Sequence, residues 1–433
     1  MKIAMKRLLT AIFALLLAQS VLAGVKIEQW KTQNGARVQF VESRALPMLD
    51  VQVDFAAGAM FDPAGKPGVA ALTRATLDLG AGSRDETAIA EQLADIGAAL
   101  SGGADTDRAS VAIRTLSAPD KRKLALAILG EVIQQPRFDA AIFERERART
   151  IAGLKEAMTR PDSIAGKTFW AAMYPDHPYG QQVTPESVAT ISRDDLAAFH
   201  ARYYVAANAS ITLVGDLSRR EAEEIAESLS AGLAKGEAAS LPAAPKLARG
   251  KTVQIAHPAS QAHVYLGLPA IERGNPDFFP LLVGNYSLGG GGFVSRLMKE
   301  VRDKRGYAYS VYSYFAPLKQ SGPFQIGLQT KRNQASAALK LARSILEDFV
   351  KNGPSAEELE AAKANLTGSF PLRLDSNKKI LDNVAVIGFY GLPLDYLDRY
   401  QEKIAAVTVD DVKRAFSRHV QMDKLMTVTV AAE

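Results

Sequence analysis

"KLALAILGEVI" (Lys123–Ile133) returns as "KLARSILEDFV" (Lys340–Val350), 217 residues further on. A second pair, "ISRDDLAAFHARYYV" (Ile191–Val205) and "VTVDDVKRAFSRHV" (Val407–Val420), recurs at 216. Both copies of the second pair open with a helix-start signal, Ser192 with Asp195 and Thr408 with Asp411. The hydroxyl can accept from an orphan backbone N–H, and the acid three residues on favours the positive end of the helix. Both copies then run into a strand-like stretch, "ASITLVGDL" and "LMTVTVA". Two repeats agreeing in order and spacing imply two homologous halves, 24–230 and 250–433. The segment between them, 231–249, is rich in Ala, Gly, Ser, Pro and Lys and reads as a linker.

Within each half, "MLDVQVDFAAG" (48–58), "ASVAIRTL" (109–116) and "HVYLGLPA" (263–270) read as strands. Amphipathic helices such as Ser355–Leu366 lie between them. Strands and helices mix without a strict βαβ rhythm. The expected fold class is therefore α+β, with a mostly antiparallel sheet and packed helices in each half, the halves facing each other as a clamp.

The first residues carry an address. Lys2, Lys6 and Arg7 form a positive n-region, Leu8–Ala18 an apolar stretch too short for a comfortable bilayer span, and Val21-Leu22-Ala23 a small-residue cleavage site. A signal peptide over 1–23 and a periplasmic location are expected. No later stretch reads as a membrane helix, and the absence of Cys removes both a disulfide framework and a lipid-anchor cysteine. The formal charge is +5, three of it in the first 23 residues, so residues 24–433 carry +2. That balance gives no support to a nucleic-acid partner.

Catalytic signatures are thin. The five His, at 177, 200, 257, 263 and 419, include no pair within five residues, so no helix presents a His pair to zinc. Cys is absent, as is G-x-S-x-G. "SLGGGG" (Ser287–Gly292) lacks the GK[ST] of a phosphate loop. Its glycines read either as a flexible turn or as a backbone surface that another chain can approach closely, with Gly289, Gly290, Gly291 and Gly292 as candidate binding positions. "SRLMKEVRDKR" (Ser295–Arg305) reads as a helix with Leu297, Met298 and Val301 on one apolar face, stopped by Gly306. The cations of its last turn complement the helix dipole. "YAYSVYSYF" (Tyr307–Phe315) has aromatic and β-branched residues on both parities, which predicts a strand buried on both faces.

"NYSLGGGGFVSRLMKEVRDKRGYAYSVYSYF" (Asn285–Phe315) resembles the motif of the pitrilysin/insulinase family, which includes the mitochondrial processing peptidases: a Gly-containing turn, S-R-L, a helix ending in Arg, and Tyr seven residues on. Here these are Arg302 and Tyr309. "HPYG" (His177–Gly180) and "GAMFDPAGKPGVAAL" (Gly58–Leu72) also look like family segments, and the duplicated α+β halves match the repeat. The family's catalytic half carries H-x-x-E-H, two zinc ligands flanking a Glu that activates water. The corresponding helix here is "GVAALTRATL" (Gly68–Leu77), with Ala71, Arg74 and Ala75 at the three positions. The third ligand, a Glu, falls near Gly153 when "ERERARTIAGL" is aligned.

The resemblance thus implies a chain that has lost the metal apparatus and kept the Arg–Tyr pair. It binds no metal itself. Zinc belongs to a homologous H-x-x-E-H-bearing partner subunit, and the chain hydrolyses no peptide alone. In that reading Arg302 and Tyr309 bind a peptide substrate at the partner's site. The alternatives are a stand-alone periplasmic peptide binder or holdase, and a structural subunit without proteolysis.

Overall fold

The computed structural model describes residues 24–432. The signal peptide expected at 1–23 lies outside the described residues. The N-terminal half contains strands β1 (Glu28–Lys31), β2 (Arg37–Glu42) and β3 (Met48–Phe55), helix α1 (Val69–Thr76), a short ribbon of β4 (Gly80–Ala81) and β5 (Arg84–Asp85), and α2 (Glu86–Asp95). It continues through β6 (Ala99–Ala104), β7 (Ala109–Leu116), α3 (Pro119–Gln134), α4 (Ala140–Ala157), α5 (Pro161–Met173), α6 (Pro185–Ala189), α7 (Arg193–Tyr203), β8 (Ala209–Gly215) and α8 (Arg219–Ala231). The C-terminal half runs β9 (Thr252–Ile255), β10 (Gln261–Ile271), α9 (Phe278–Asn285), β11 (Ala308–Phe315), β12 (Gly322–Lys331), α10 (Ala335–Asn352), α11 (Ala356–Gly368), α12 (Asn377–Tyr390), α13 (Tyr400–Ala405), α14 (Val409–His419) and β13 (Met426–Val430).

The duplication is visible strand by strand. One sheet has the order β1-β2-β8-β3-β7-β6, the other β9-β13-β10-β12-β11. Without β1 the two orders superimpose. Even the exception to antiparallel pairing is repeated, since β2 runs parallel to β8 and β9 parallel to β13. Helices α3, α4, α5 and α7, starting at 119, 140, 161 and 193, restart 216 residues later as α10, α11, α12 and α14 at 335, 356, 377 and 409. Their apolar periodicity explains their placement: Ala125, Ile128, Leu129, Val132 and Ile133 bury one stripe of α3, and Ala335, Ala338, Ala342, Leu346 and Phe349 one stripe of α10. The helix starts at Ser192 and Thr408 are both reciprocal boxes. Asp195 N and Asp411 N donate to the hydroxyls at 3.2 and 3.1 Å, and the acids accept back from Ser192 N and Thr408 N at 2.8 and 2.9 Å.

The halves are joined by more than a linker. α5 of the N-terminal half lies on β10 and β13, and its counterpart α12 lies on β2, β3 and β8. Each half thus lends its equivalent helix to the other's sheet. Accordingly Met426, Val428 and Val430 belong to the N-terminal core, and Val41 and Val214 to the C-terminal one. The irregular segment after α8 is strapped down: Ala206 N and Ala207 N donate to the Ala234 and Lys235 carbonyls at 2.9 and 3.0 Å, and Ala239 N to Asn208 Oδ1 at 2.6 Å. No helix among the described residues is long and apolar enough to cross a membrane.

Candidate functional site

Each half carries one matching slot in its chain order, after β3 and before β6 and after β10 and before β11, strands that β7 and β12 separate within the sheets. The N-terminal slot holds α1. Asp62 starts this helix, accepting from Gly68 N and Ala70 N at 2.7 Å each, and Gly68 turns the chain with a φ of 108°. Val69, Leu72, Thr73, Arg74 and Thr76 are buried, while Ala71 and Ala75 face outward one turn apart. Arg74 donates to the carbonyls of Ser110 (2.6 Å) and Ser101 (3.0 Å) and to Asp78 (3.2 Å). It therefore pins β6 and β7 to α1. Gly153 on α4 is exposed with open space where a Cβ would stand. Two turns earlier on the same helix stripe, the largely buried Glu146 accepts from Arg145 Nε at 2.8 Å and lies 3.8 Å from Arg149. With Ala75 and Glu86 they line an opening of about 570 Å³. Two methyl groups, a guanidinium and a hydrogen supply no ligand, so positions 71, 74, 75 and 153 do not fit zinc. Among the described residues no group of three His, Cys, Asp or Glu is placed to hold a metal.

The C-terminal slot holds the glycine run and the Arg–Tyr segment. α9 loosens into a wider turn in which Gly291 N donates to Tyr286 O, five residues back, at 2.8 Å. Asn285 fastens this turn to β11: its Nδ2 donates to Ser313 O at 3.0 Å, and Ser313 Oγ donates to its Oδ1 at 2.7 Å. A Cβ on Gly289 would stand 2.6 Å from Ser313 N, so the close approach requires glycine. Gly290 and Gly291 are similarly crowded by Asn285 and Tyr286. Gly292 has open space and a φ of 61°. The chain's own packing thus uses three of the four glycines.

The following helical turn behaves as its sequence suggests on one face: Leu297, Met298 and Val301 are buried. It too is wide, with Lys304 N donating to Lys299 O at 3.0 Å. It closes on Gly306 in the left-handed region, with Gly306 N to Arg302 O and Tyr307 N to Val301 O, both 2.9 Å. Arg296, in the S-R-L part, is structural: it grips Glu358 at 2.8 and 2.7 Å and Asp348 at 3.1 Å. Tyr309 is an extra residue in β11, between Ala308 paired with Thr330 and Ser310 paired with Gln329. This bulge on an edge strand turns its side chain out, 81% exposed. The Arg302 guanidinium carbon lies 6.0 Å from the Tyr309 ring centre and 5.0 Å from that of Phe293, with one hydrogen bond, to Asp303 at 3.0 Å. The structure thus brings Arg302 and Tyr309 together. It corrects the expectation of a strand buried on both faces: Tyr309, Ser310, Tyr312 and Tyr314 are exposed while Val311 and Ser313 are buried. The Tyr312 and Tyr314 rings lie 6.1 Å apart and nearly parallel.

"HPYG" has a structural task that the sequence did not reveal. Asp107, fully buried in the turn between β6 and β7, accepts from Tyr179 OH (2.7 Å), Tyr390 OH (2.8 Å) and Lys319 N (2.8 Å). His177 meets Gln320 at 2.5 Å beside it. Burial pushes the Asp107 carboxyl above its ordinary range, while the three donors pull the other way. The node ties both halves together. Nothing in the local sequence around Asp107 signals it, because its partners come from residues 179, 319 and 390.

Two family profiles match the chain: "Insulinase (Peptidase family M16)" over residues 40–186 and "Peptidase M16 inactive domain" over 190–366. A solved structure described as a peptidase M16 inactive domain from Pseudomonas fluorescens is 40% identical, with a TM-score of 0.91, covering 94% of this chain and 98% of that one. The chain belongs to the insulinase family. Two curated relatives are each 26% identical. They are a "Non-peptidase homolog YmxG" of Helicobacter pylori, covering 92% of this chain and 93% of that protein, and an "Uncharacterized zinc protease YmxG" of Bacillus subtilis, covering 82% and 87%. As an insulinase-family member, this chain carries no zinc ligand at residues 71, 74, 75 or 153.

Proposed function

We propose that this chain is the non-catalytic subunit of a heteromeric insulinase-type zinc peptidase, exported to the periplasm. It contributes Arg302 and Tyr309 to a peptide bound at a homologous partner that carries H-x-x-E-H and the zinc. The observation that carries the reading is the bulge at Tyr309, which presents a phenol to solvent beside a guanidinium whose only hydrogen bond among the described residues is to its neighbour Asp303. Both groups donate hydrogen bonds, to a peptide carbonyl or to the oxyanion that develops from it. Gly290 and Gly292 face solvent on the same segment, where a peptide backbone can approach without meeting a Cβ. The opposite slot, where Ala71, Arg74, Ala75 and Gly153 offer no ligand, supports placing the metal on another chain.

The test is reconstitution. The chain is purified from its host, an exported homologue with intact H-x-x-E-H is identified beside it, and the two are assayed together on a fluorogenic peptide. Chelator-sensitive cleavage should need both chains. Arg302→Ala should lower turnover roughly 10- to 150-fold, the equivalent of a charged hydrogen bond, and Tyr309→Phe less, with association unchanged. Full activity in both variants would refute the assignment. Retention of peptide by the chain alone, with no such homologue, would instead favour the stand-alone binder.

A further inference from the structure

Phe293 is 67% exposed at the tip of the glycine turn, just after Gly292. It has no place in either core. Its ring is nonetheless the nearer of the two that flank the Arg302 guanidinium, 5.0 Å against 6.0 Å for Tyr309. Arg302 is half-buried with a long flexible stem, and Asp303 alone would draw it toward solvent. A guanidinium lying against aromatic faces gains from the ring quadrupole and keeps its N–H edge free to donate. The turn that places Phe293 is itself fixed: Ser295 Oγ donates to Gly292 O at 2.7 Å, and Asn285 holds the preceding glycines against β11.

We propose that Phe293 is a positioning residue that holds the Arg302 guanidinium beside Tyr309, leaving its remaining N–H groups aimed at an incoming carbonyl. The inference rests on the proposed role of the Arg302–Tyr309 pair, but its geometry is testable without a partner. Its strength follows from exposed cation–π contacts, so removal of the ring should weaken the action of Arg302 about two- to fivefold.

The experiment uses the isolated full chain labelled with ¹⁵N-arginine. The Arg302 Nε–Hε resonance is assigned by its disappearance in Arg302→Lys. In the wild type it should be displaced by ring current. Phe293→Ala and Phe293→Leu should both move it toward the position of a freely exposed arginine, whereas Phe293→Trp should restore the displacement. Thermal midpoints should be unchanged, since Phe293 is outside the cores. An unmoved resonance in Phe293→Ala, or Leu behaving like Trp, would overturn the proposal. If the resonance behaves as expected while Arg302→Ala leaves two-chain turnover intact, the positioning stands and the functional reading falls.

Discussion

Replacing Arg74 by Ala should cost about 3 kcal/mol of stability. Arg74 is 5% exposed and gives charged hydrogen bonds to two backbone carbonyls, Ser110 and Ser101. A hydrogen bond involving a charged group contributes about 1.5–3 kcal/mol, so the two together contribute about 3–6 kcal/mol. The lower end applies here, because β6 is an exposed edge strand and its carbonyls can turn toward water. The pair with the part-exposed Asp78 adds under about 1 kcal/mol. Space for the guanidinium is made by Gly102, whose Cβ would stand 2.8 Å from Nη2. Lys cannot span both carbonyls with one ammonium, so Arg74→Lys should recover less than about half of the loss. The assay is urea unfolding combined with amide hydrogen exchange. The midpoint should fall with an unchanged slope, and exchange should accelerate selectively at Ala99–Ala104. A loss under about 1 kcal/mol with β6 exchanging as in the wild type would refute the claim that Arg74 anchors this edge.

Restoring the metal motif through Ala71→His, Arg74→Glu, Ala75→His and Gly153→Glu should yield weak zinc binding and no peptidase, because the new Glu at 74 faces two carbonyl acceptors. Zinc titration and peptide cleavage without a partner check this, and robust chelator-sensitive turnover would refute it. A separate expectation concerns pH. Burial lifts the Asp62 carboxyl from its ordinary 3.8 to about 6 against the pull of two backbone N–H groups. Its raised value means the native state holds the proton more tightly, so the contribution is full below about pH 4 and lost as pH rises through about 6. Relative to Asp62→Asn, the wild type should therefore lose about 2.4 kcal/mol between pH 4 and 7, read by urea unfolding at both; a pH-independent difference would refute it.

The duplication was legible because helix stripes and capping pairs are local signals: Ser192 with Asp195 and Thr408 with Asp411 announce α7 and α14 by themselves. The family resemblance supplied the register by which Ala71, Arg74 and Ala75 were placed at the motif positions. The misreading of β11 has a physical cause. Tyr309 has odd parity, Tyr312 and Tyr314 even, and strict alternation would put them on opposite faces. The bulge at Tyr309 absorbs one residue, so aromatics on both parities mark one exposed face with a shifted register rather than two buried ones. The linker composition said nothing of the strapping at Ala234, Lys235 and Ala239, which uses backbone groups that every residue carries. Asp107 escaped because its three donors lie 72, 212 and 283 residues away.

The two slots also bear on why a degenerate chain keeps its fold. α1 with α2, and the glycine run with Arg302, occupy equivalent places in duplicated sheets, and each must secure an edge strand, β6 or β11. In the N-terminal slot a guanidinium does so, through Ser101 and Ser110. In the C-terminal slot Asn285 does so, through Ser313, with Gly289 close by. The securing residue consumes the chemistry of its slot in the first case: Arg74 spends its donors inside the protein. In the second case the securing residue is Asn285, so Arg302 and Tyr309 are left free at the surface. Under the proposed function the residue at the expected catalytic position is thus also the anchor of β6, and a carboxylate there would need a new anchor for β6. In the C-terminal slot the fastening of β11 by Asn285 does not run through Arg302, so Arg302→Ala is expected to leave β11 in place. In the proposed function Arg302 and Tyr309 serve a bound peptide, and the hydrogen bonds that fasten β11 to the glycine turn come from Asn285 instead.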